Sequence, residues 1–289
     1  MKLSIIIATR GRPELLKTTI ENTLPHISSE KTRVLVCVDD DDQKTIDSLR
    51  FLPIDSRLTF SIKPREDSRG EKYDRALTEA TADIYLPAVD CAPILTPGFD
   101  KTITSAATLF PDGIGCVYTP MVNASFPGLQ APTAKLVEKL GHIYSHEYPY
   151  WFIDHELDDI ARMIGRYVCI DVDVSTAPMR PSKTIRMWDL AWWTVYFDMM
   201  TLERRLRARA IIDSVDFEEA QWRKAIMRDQ YQPIEARSRW INGNVRANAV
   251  AIQNDRGEKG PPDEGYLRVK AKAEQKLQAL YAAMRQAAA

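Results

Sequence analysis

Residues 82–99, ADIYLPAVDCAPILTPGF, decide the fold because they read as an apolar strand, an acid and then a proline-rich loop. Residues 83–89 are rich enough in β-forming side chains to predict a buried strand. The prolines and the glycine that follow direct the chain out of the sheet and into a new element. An α/β sheet binds its ligands outside the carboxyl ends of its strands, so Asp90 is a candidate ligand of a metal or a nucleotide. The alternative is that Asp90 only caps the following turn.

Three further strands are predicted upstream, at residues 3–8, 33–38 and 58–63. The turn TRGRP and a helical pattern follow the first of them, and Pro13 suits the first turn of that helix. Continuous apolar runs, rather than alternating ones, are typical of strands that are covered on both faces. Strands and helices thus alternate, which predicts an α/β fold with a mainly parallel sheet. A short strand is also expected at residues 115–118.

A second acidic strand end follows residues 33–38, where four consecutive aspartates occupy positions 39–42. Adjacent carboxylates repel one another, so they should be solvated unless a cation or hydrogen-bond donors offset the repulsion. Their place after a predicted strand favours a functional site, and a soluble loop is the alternative.

The composition limits the class of protein. The chain has 289 residues, enough for a substantial core, and we expect one domain with an appended tail. Lysine and arginine number 39 against 40 for aspartate and glutamate, so no global basic field predicts binding to nucleic acid or to an anionic membrane. The cysteines form no CxxC pair, which is typical of a reducing compartment and argues against a zinc site.

No stretch predicts a secretion signal or a membrane span. The apolar run at the N-terminus is too short for a signal peptide. The longest uncharged stretch, residues 113–134, contains three prolines and cannot be a membrane span. We therefore expect a soluble, cytoplasmic protein.

The second half begins with an aromatic segment, HIYSHEYPYWF at residues 142–152, and a helical pattern follows in IDHELDDIARMIGR. Asp154 lies at the predicted helix start, where the helix dipole favours an acid. Aromatic rings beside such a carboxylate suit a carbohydrate or nucleobase pocket. A core aromatic cluster with an ordinary aspartate N-cap is the alternative.

The remaining segments are a strand at residues 167–174, one long helix at 187–212, a linker at 248–265 and a helix at 266–289. In the long helix, an apolar stripe through Trp188, Trp192, Val195 and Met199 is expected to face the core. A cluster of arginines at the end of this helix could bind phosphates, although a solvated helix terminus is the simpler interpretation. The last helix is expected to pack on its own domain or on a second copy of the chain.

Four segments together resemble the nucleotide-sugar-binding half of glycosyltransferases with the GT-A fold, particularly the family 2-like group. They are LSIIIATRGRPELLKTTIENTL, VLVCVDDDD, RGEKYDRAL and DIYLPAVDCAPILTPGF. The resemblance covers about the first 120 residues. It implies a GT-A-like, Rossmann-related sheet flanked by helices, with a helical and aromatic acceptor-side half at residues 121–247.

The resemblance also implies which residues bind the donor. The family's first strand ends in a turn that lines the nucleotide, and its second strand ends in an acid that holds the base, here Asp39 or Asp40. The donor-binding residues that we carry over are Thr9, Arg10, Arg12, Asp39, Asp40, Arg69, Lys72 and Asp90.

The family's Asp-x-Asp motif binds the ribose and a divalent metal, and here the sequence departs from it. Asp90 matches the first acid, and Ala92 stands where the family has the second. The resemblance implies Mn²⁺ or Mg²⁺, with Asp90 as a ligand, but hard cations prefer more than one carboxylate oxygen. Either another acid replaces the lost one, from residues 39–42 or Glu156, or cationic side chains stabilise the leaving diphosphate.

The family's acceptor side usually carries an ED-type motif whose acid is the general base. IDHEL matches it, with Ile153 for the first acid and Asp154 for the second. A positioned carboxylate that accepts the proton of a hydroxyl makes it a better nucleophile. On the same side we place Trp151, which shapes the acceptor site, with His155 and Glu156. His155 is a metal ligand in one interpretation and a structural histidine in the other.

The resemblance therefore implies a glycosyltransferase that moves a sugar from a nucleotide sugar, a UDP-sugar foremost, to an acceptor hydroxyl. One alternative is a DNA-modifying enzyme that acts on a hydroxymethylated base, with the arginines at 204–209 on the backbone. Another is a nucleotide-sugar-binding module without turnover. A nucleotidyltransferase is disfavoured because no glycine-rich phosphate loop follows the first strand.

Overall fold

The computed structural model describes residues 1–120, 127–174, 188–215 and 261–288. They form two compact units. The first contains Met1–Arg65, Glu71–Ile143 and residues 166–174, and the second contains Glu66–Gly70, Tyr144–Gly165 and the described residues after 187. No helix in these ranges is long and apolar enough to cross a membrane. The domain boundaries expected at residues 120 and 247 stay predictions, and most of the predicted linker lies outside the described residues.

The first unit is built on a four-stranded parallel sheet with the order β3-β2-β1-β4. Its strands are β1 (Leu3–Ala8), β2 (Thr32–Asp39), β3 (Leu58–Lys63) and β4 (Ile84–Val89). All six residues of β1 are buried, because helices cover both faces of this central strand. The edge strand β3 is buried only at Leu58 and Ser61. The predicted α/β class with a mainly parallel sheet is confirmed.

A second, three-stranded sheet of the same unit has the order β6-β5-β7. Its strands are β5 (Cys116–Pro120), β6 (Pro127–Pro132) and β7 (Tyr167–Cys169). β6 is antiparallel to β5, and β7 is parallel to it. The predicted strand at 167–174 is therefore shorter than expected, and Val174 forms only an isolated bridge with Ile94.

Helices connect the strands. They are α1 (Pro13–Thr23), α2 (Gln43–Ser48), α3 (Arg69–Tyr73), α4 (Arg75–Glu79), α5 (Phe99–Ala107) and α6 (Ala134–Leu140). Short 3₁₀ turns follow α1 and α2, at Leu24–His26 and Leu49–Phe51. Their apolar faces and the strands form one core, which includes Leu3, Ile5, Leu16, Val36 and Leu86. Burial of this core is the main force that holds the sheet edge in place.

The second unit is helical in its described residues. Its helices are α7 (Ile153–Met163), α8 (Leu190–Met199), α9 (Thr201–Asp213) and α10 (Glu264–Ala288). Tyr148 is fully buried, and its ring contacts those of Phe152, Trp193 and Tyr196. The aromatic segment thus contributes to a core cluster.

Two predictions for this region are wrong. The helix predicted at 187–212 is two helices, since the first ends at Met199 and the second begins at Thr201. The predicted stripe is displaced by about one position, because Val195 is 55% exposed whereas Trp193 is fully buried. Trp193 donates a hydrogen bond from Nε1 to the hydroxyl of Tyr266 on α10, at 3.2 Å.

The backbone of Gly70 packs directly against the backbone of another segment, which leaves no room for a side chain. A Cβ added there would lie 2.5 Å from the carbonyl oxygen of Ser145 and 2.6 Å from that of Tyr144. We expect Gly70→Ala to lower the free energy of unfolding by about 2–3 kcal/mol, because backbone must move to admit the methyl group. Urea unfolding followed by circular dichroism measures it.

Gly141→Ala is the matched control for this substitution. Gly141 has φ +80° and open space at its Cβ, so alanine there costs only the left-handed backbone, about 1–2 kcal/mol. A smaller loss at position 70 than at position 141 would contradict the described packing.

Candidate functional site

The carboxyl ends of three neighbouring strands meet at one edge of the parallel sheet. The register pairs Ala8, the last residue of β1, with Cys37 in β2 and with Val89 in β4. Thr9, the aspartates at 39–42 and Asp90 therefore emerge side by side. The structure thus brings the predicted donor-binding residues of the first unit together at this edge.

Asp90 is fully buried and is held from several directions. The Thr9 hydroxyl donates to Asp90 Oδ2 at 2.7 Å. Arg12 donates from Nε to the same oxygen at 3.1 Å, and its Nη2 lies 2.5 Å from Oδ1. Thr19 of α1 donates to the backbone carbonyl of Asp90 at 2.9 Å. Arg12 thus contacts both carboxylate oxygens of Asp90, through a hydrogen bond to Oδ2 and an ion pair with Oδ1.

Asp39 is the second buried carboxylate, at 1% exposure. The Lys72 ammonium lies 2.6 Å from its Oδ1, and Arg10 donates from Nη1 to its Oδ2 at 2.9 Å. Lys72 also donates to the backbone carbonyl of Thr9 at 3.0 Å. Lys72 therefore ties the ends of β1 and β2 together, and Asp39 neutralises charge inside the site.

The other acids of the run differ in their surroundings. Arg10 contacts both carboxylate oxygens of Asp41 and holds the pKa of Asp41 below its usual range. Asp42 accepts from the backbone N–H of Gly11 at 2.6 Å and from the Thr45 hydroxyl at 2.6 Å, and it caps α2. Asp40 is exposed, and its N–H donates to the Lys63 carbonyl at 2.9 Å. Cations and donors thus offset the repulsion within this run.

Arg75 is a residue of this edge that sequence reasoning missed. It is 5% exposed and donates to the backbone carbonyls of Val38 at 2.8 Å and Ser61 at 3.0 Å. It also donates to the carbonyls of Lys63 and Pro64, so it fastens the ends of β2 and β3. The sequence contains only a weak indication that Arg75 belongs to the site. Arg75 lies three positions after Lys72, but α3 ends at Tyr73 and α4 begins at Arg75, so helical spacing does not place the two side chains on one face.

Arg75→Met should lower the free energy of unfolding by about 3 kcal/mol or more, because buried carbonyls lose a charged donor. Arg50→Met is the control: Arg50 is exposed over the Phe51 ring, and its loss should cost no more than about 0.5 kcal/mol. Urea unfolding of both variants gives the comparison. Equal losses would show that the four carbonyl contacts of Arg75 do not stabilise the fold.

The described residues of the first unit do not provide a donor set that fits a divalent cation. At the end of β4, Ala92 stands beside Asp90, whose oxygens already bind Arg12 and Thr9. Asp39, Asp41 and Asp42 are bound as described above. Within residues 1–120, 127–174, 188–215 and 261–288, no group of three or more His, Cys, Asp and Glu is arranged to hold a metal ion.

In the second unit, Asp154 is the second residue of α7, and Phe152 precedes the helix with φ 69°. Asp154 is therefore not the N-cap, although it lies in the first turn, where the helix dipole favours an anion. Its side chain is 45% exposed, and Oδ1 lies 2.7 Å from Nδ1 of His155. Burial acts to raise the pKa of Asp154, but the charge and hydrogen bonds of His155 outweigh it and hold that pKa well below its usual range.

The other residues placed on the acceptor side differ in exposure. Trp151 is half-buried and contacts the ring of Tyr150 edge-on. Glu156 is 3% exposed and accepts from Arg207 at 2.9 Å, and burial raises its pKa. Glu156 is thus part of a buried ion pair. Arg69, placed among the donor-binding residues, belongs to the second unit, where it lies over the Tyr150 ring.

The arginines of α9 were expected to form a solvated helix end, and this is wrong for two of them. Arg204 is 1% exposed and pairs with Asp159, with Nε 3.2 Å from Oδ2. Arg207 binds Glu147 at 2.6 Å as well as Glu156. Guanidinium groups engaged inside the unit do not favour contact with a DNA backbone.

Comparison with known proteins finds solved structures with a similar fold. No family model matches the sequence, and no curated protein is significantly similar to it. A mannosyltransferase from Pyrobaculum calidifontis, solved with GDP-Man and Mn²⁺, has a TM-score of 0.53 at 17% identity. The match covers 96% of this chain and 80% of that one.

The second likeness is to TarS of S. aureus, residues 1–349, with a TM-score of 0.51 at 16% identity, over 78% of this chain and 69% of that one. The complex of the same protein with UDP has a TM-score of 0.50 at 15% identity, over 78% and 70%. The chain therefore has the GT-A fold, and the resemblance seen in the sequence is confirmed for the fold.

Proposed function

We propose that this protein is a glycosyltransferase that moves a sugar from a nucleotide sugar to an acceptor hydroxyl. The single observation that carries the proposal is the edge of the parallel sheet, where Thr9, Arg12, Asp40 and Asp90 lie together at the carboxyl ends of β1, β2 and β4. In open α/β sheets this edge is where ligands bind. The fold shared with a mannosyltransferase that holds GDP-Man adds support.

The donor would bind in the first unit. Asp40 is the exposed acid at the end of β2, so we assign it the contact with the nucleoside, whereas the buried Asp39 positions Lys72 and Arg10. Thr9 holds Asp90, and Asp90 positions Arg12. The donor that we propose is a UDP-sugar, because the TarS complex contains UDP.

The acceptor proton would go to Asp154 of the second unit. The acceptor oxygen forms a bond to the anomeric carbon as its proton passes to the Asp154 carboxylate. The bond from that carbon to the diphosphate oxygen breaks, and its electron pair leaves with the diphosphate. Trp151 is assigned to the acceptor, because indole faces stack on the apolar faces of sugars. Since the donor set does not fit a divalent cation, no step is assigned to Mn²⁺ or Mg²⁺.

Thermal unfolding in the presence of nucleotides tests the proposal. A ligand that binds only the folded state stabilises it by about 2.7 kcal/mol at 100 times its Kd. We expect UDP or a UDP-sugar to raise the midpoint, and a panel with GDP, ADP and CDP identifies the base. No shift with any nucleotide would contradict the proposal. Donor hydrolysis without acceptor then distinguishes an enzyme from a binding module.

A further inference from the structure

We propose that Arg12, oriented by Asp90, binds the diphosphate of the donor in place of a divalent cation. This inference rests on the proposed function and adds how the diphosphate is recognised. A hard cation in such a site is held by one or two carboxylates together with the substrate phosphates. Here the sole acid at the end of β4 is Asp90, and a guanidinium already bridges its two oxygens.

The acids that could have replaced the missing one are used elsewhere. Asp39 binds Lys72 and Arg10, and Asp41 binds Arg10 through both oxygens. Asp42 caps α2 and accepts from the Gly11 N–H. Glu156 is buried against Arg207. Asp40 is exposed at the end of β2, away from the end of β4 where the second acid is missing. The cationic group that pairs with the acid at the end of β4 is therefore the Arg12 guanidinium.

Arg12 has donors left for a phosphate. A guanidinium carries five N–H groups; the hydrogen bond to Asp90 uses the Nε–H, and Nη2 forms an ion pair with Oδ1. Among the residues that the structure describes, none accepts a hydrogen bond from Nη1, and the side chain is 24% exposed. Planar N–H pairs match phosphate oxygens in two-point contacts. A cation held in position by a buried carboxylate can stabilise the charge that develops on the leaving diphosphate.

The turn that carries Arg12 adds to the positive electrostatic potential around the guanidinium. Gly11 adopts φ +67°, and its N–H is fixed by Asp42, so the turn between β1 and α1 has a defined shape. Arg12 is the N-cap of α1, and its side chain makes no capping bond. The positive end of the helix dipole thus lies beside the guanidinium, and both favour an anion.

Isothermal titration of the full chain with UDP, or with GDP if the panel selects it, tests the inference. We expect the Kd to be the same within about twofold in EDTA and in Mn²⁺. Arg12→Lys should weaken binding by about tenfold or more, since lysine keeps the charge but loses the two-point geometry. Arg57→Lys is the matched control, because Arg57 pairs with Asp55 just before β3, and its Kd should not change.

The outcomes separate the inference from the proposed function. Binding that requires Mn²⁺ would overturn the inference and leave the glycosyltransferase proposal standing. An Arg12→Lys variant that binds as tightly as the wild type would also overturn it. Failure of every nucleoside diphosphate to bind, with and without Mn²⁺, would overturn both. The comparison of EDTA with Mn²⁺ uses the wild-type chain, so it does not depend on the folding of any variant.

Discussion

Replacing Asp154 by asparagine is expected to lower the rate of sugar transfer by about 10²–10⁴-fold, the range typical of a lost general base. Asparagine has the shape of aspartate and still accepts from the His155 N–H, so the start of α7 should be unchanged. It cannot accept the proton of the hydroxyl. Nucleotide binding by the first unit should be unaffected, and titration of Asp154→Asn with the nucleotide checks this.

Asp213→Asn is the control for this prediction. Asp213 is an exposed acid at the end of α9 that pairs with Arg209 at 2.8 Å, and the same change of charge there should leave the rate unchanged. Initial rates of nucleoside diphosphate release, measured for both variants at saturating donor, give the comparison. An Asp154→Asn rate within about threefold of the wild type would remove Asp154 from the mechanism.

Replacing Arg12 by methionine is expected to lower the free energy of unfolding by about 3–5 kcal/mol at pH 7, the cost of removing one partner of a buried ion pair. Methionine keeps much of the side-chain volume but removes the guanidinium that pairs with the fully buried Asp90.

Lys17→Met separates this effect from a general loss of charge on the same helix. Lys17 is exposed on α1 and faces Glu21 at 3.7 Å, so its replacement should cost at most about 0.5 kcal/mol. Urea unfolding of both variants at pH 7 gives the free energies. A loss at Arg12 as small as that at Lys17 would contradict a buried ion pair at Asp90.

The strands were predictable because continuous apolar runs have one stable place, the interior of a parallel sheet. β1 and β3 have the predicted bounds, and β2 and β4 differ from the prediction by a single residue at one or both ends. Their order along the chain then placed Thr9 and Asp90 at one edge. This part of the candidate site follows from local sequence alone.

The helical half was less predictable for a physical reason. Residues 190–199, LAWWTVYFDM, are apolar on most sides, so periodicity does not identify the buried face. That face is chosen by long-range contacts, such as the hydrogen bond from Trp193 to Tyr266, which lies 73 positions later in the chain. The same holds for Arg204 and Arg207, whose carboxylate partners are on other segments.

The pairing of charges at the sheet edge also could not be predicted from the sequence. The run of aspartates indicated a site, but Arg12 and its partner Asp90 are separated by 78 positions. Sequence therefore left open whether an acid or a cation compensates for Ala92. The structure places the Arg12 guanidinium on Asp90 itself, which favours a cation.

The most direct test of the central claim is the release of nucleoside diphosphate from a nucleotide sugar. Wild-type protein is incubated with UDP-sugars and GDP-sugars, with and without a panel of sugar and alcohol acceptors, and the released diphosphate is quantified beside Asp154→Asn. We predict release by the wild type that an acceptor accelerates and that Asp154→Asn largely abolishes. Absence of release from every donor, in a protein that binds the nucleotide, would contradict glycosyl transfer.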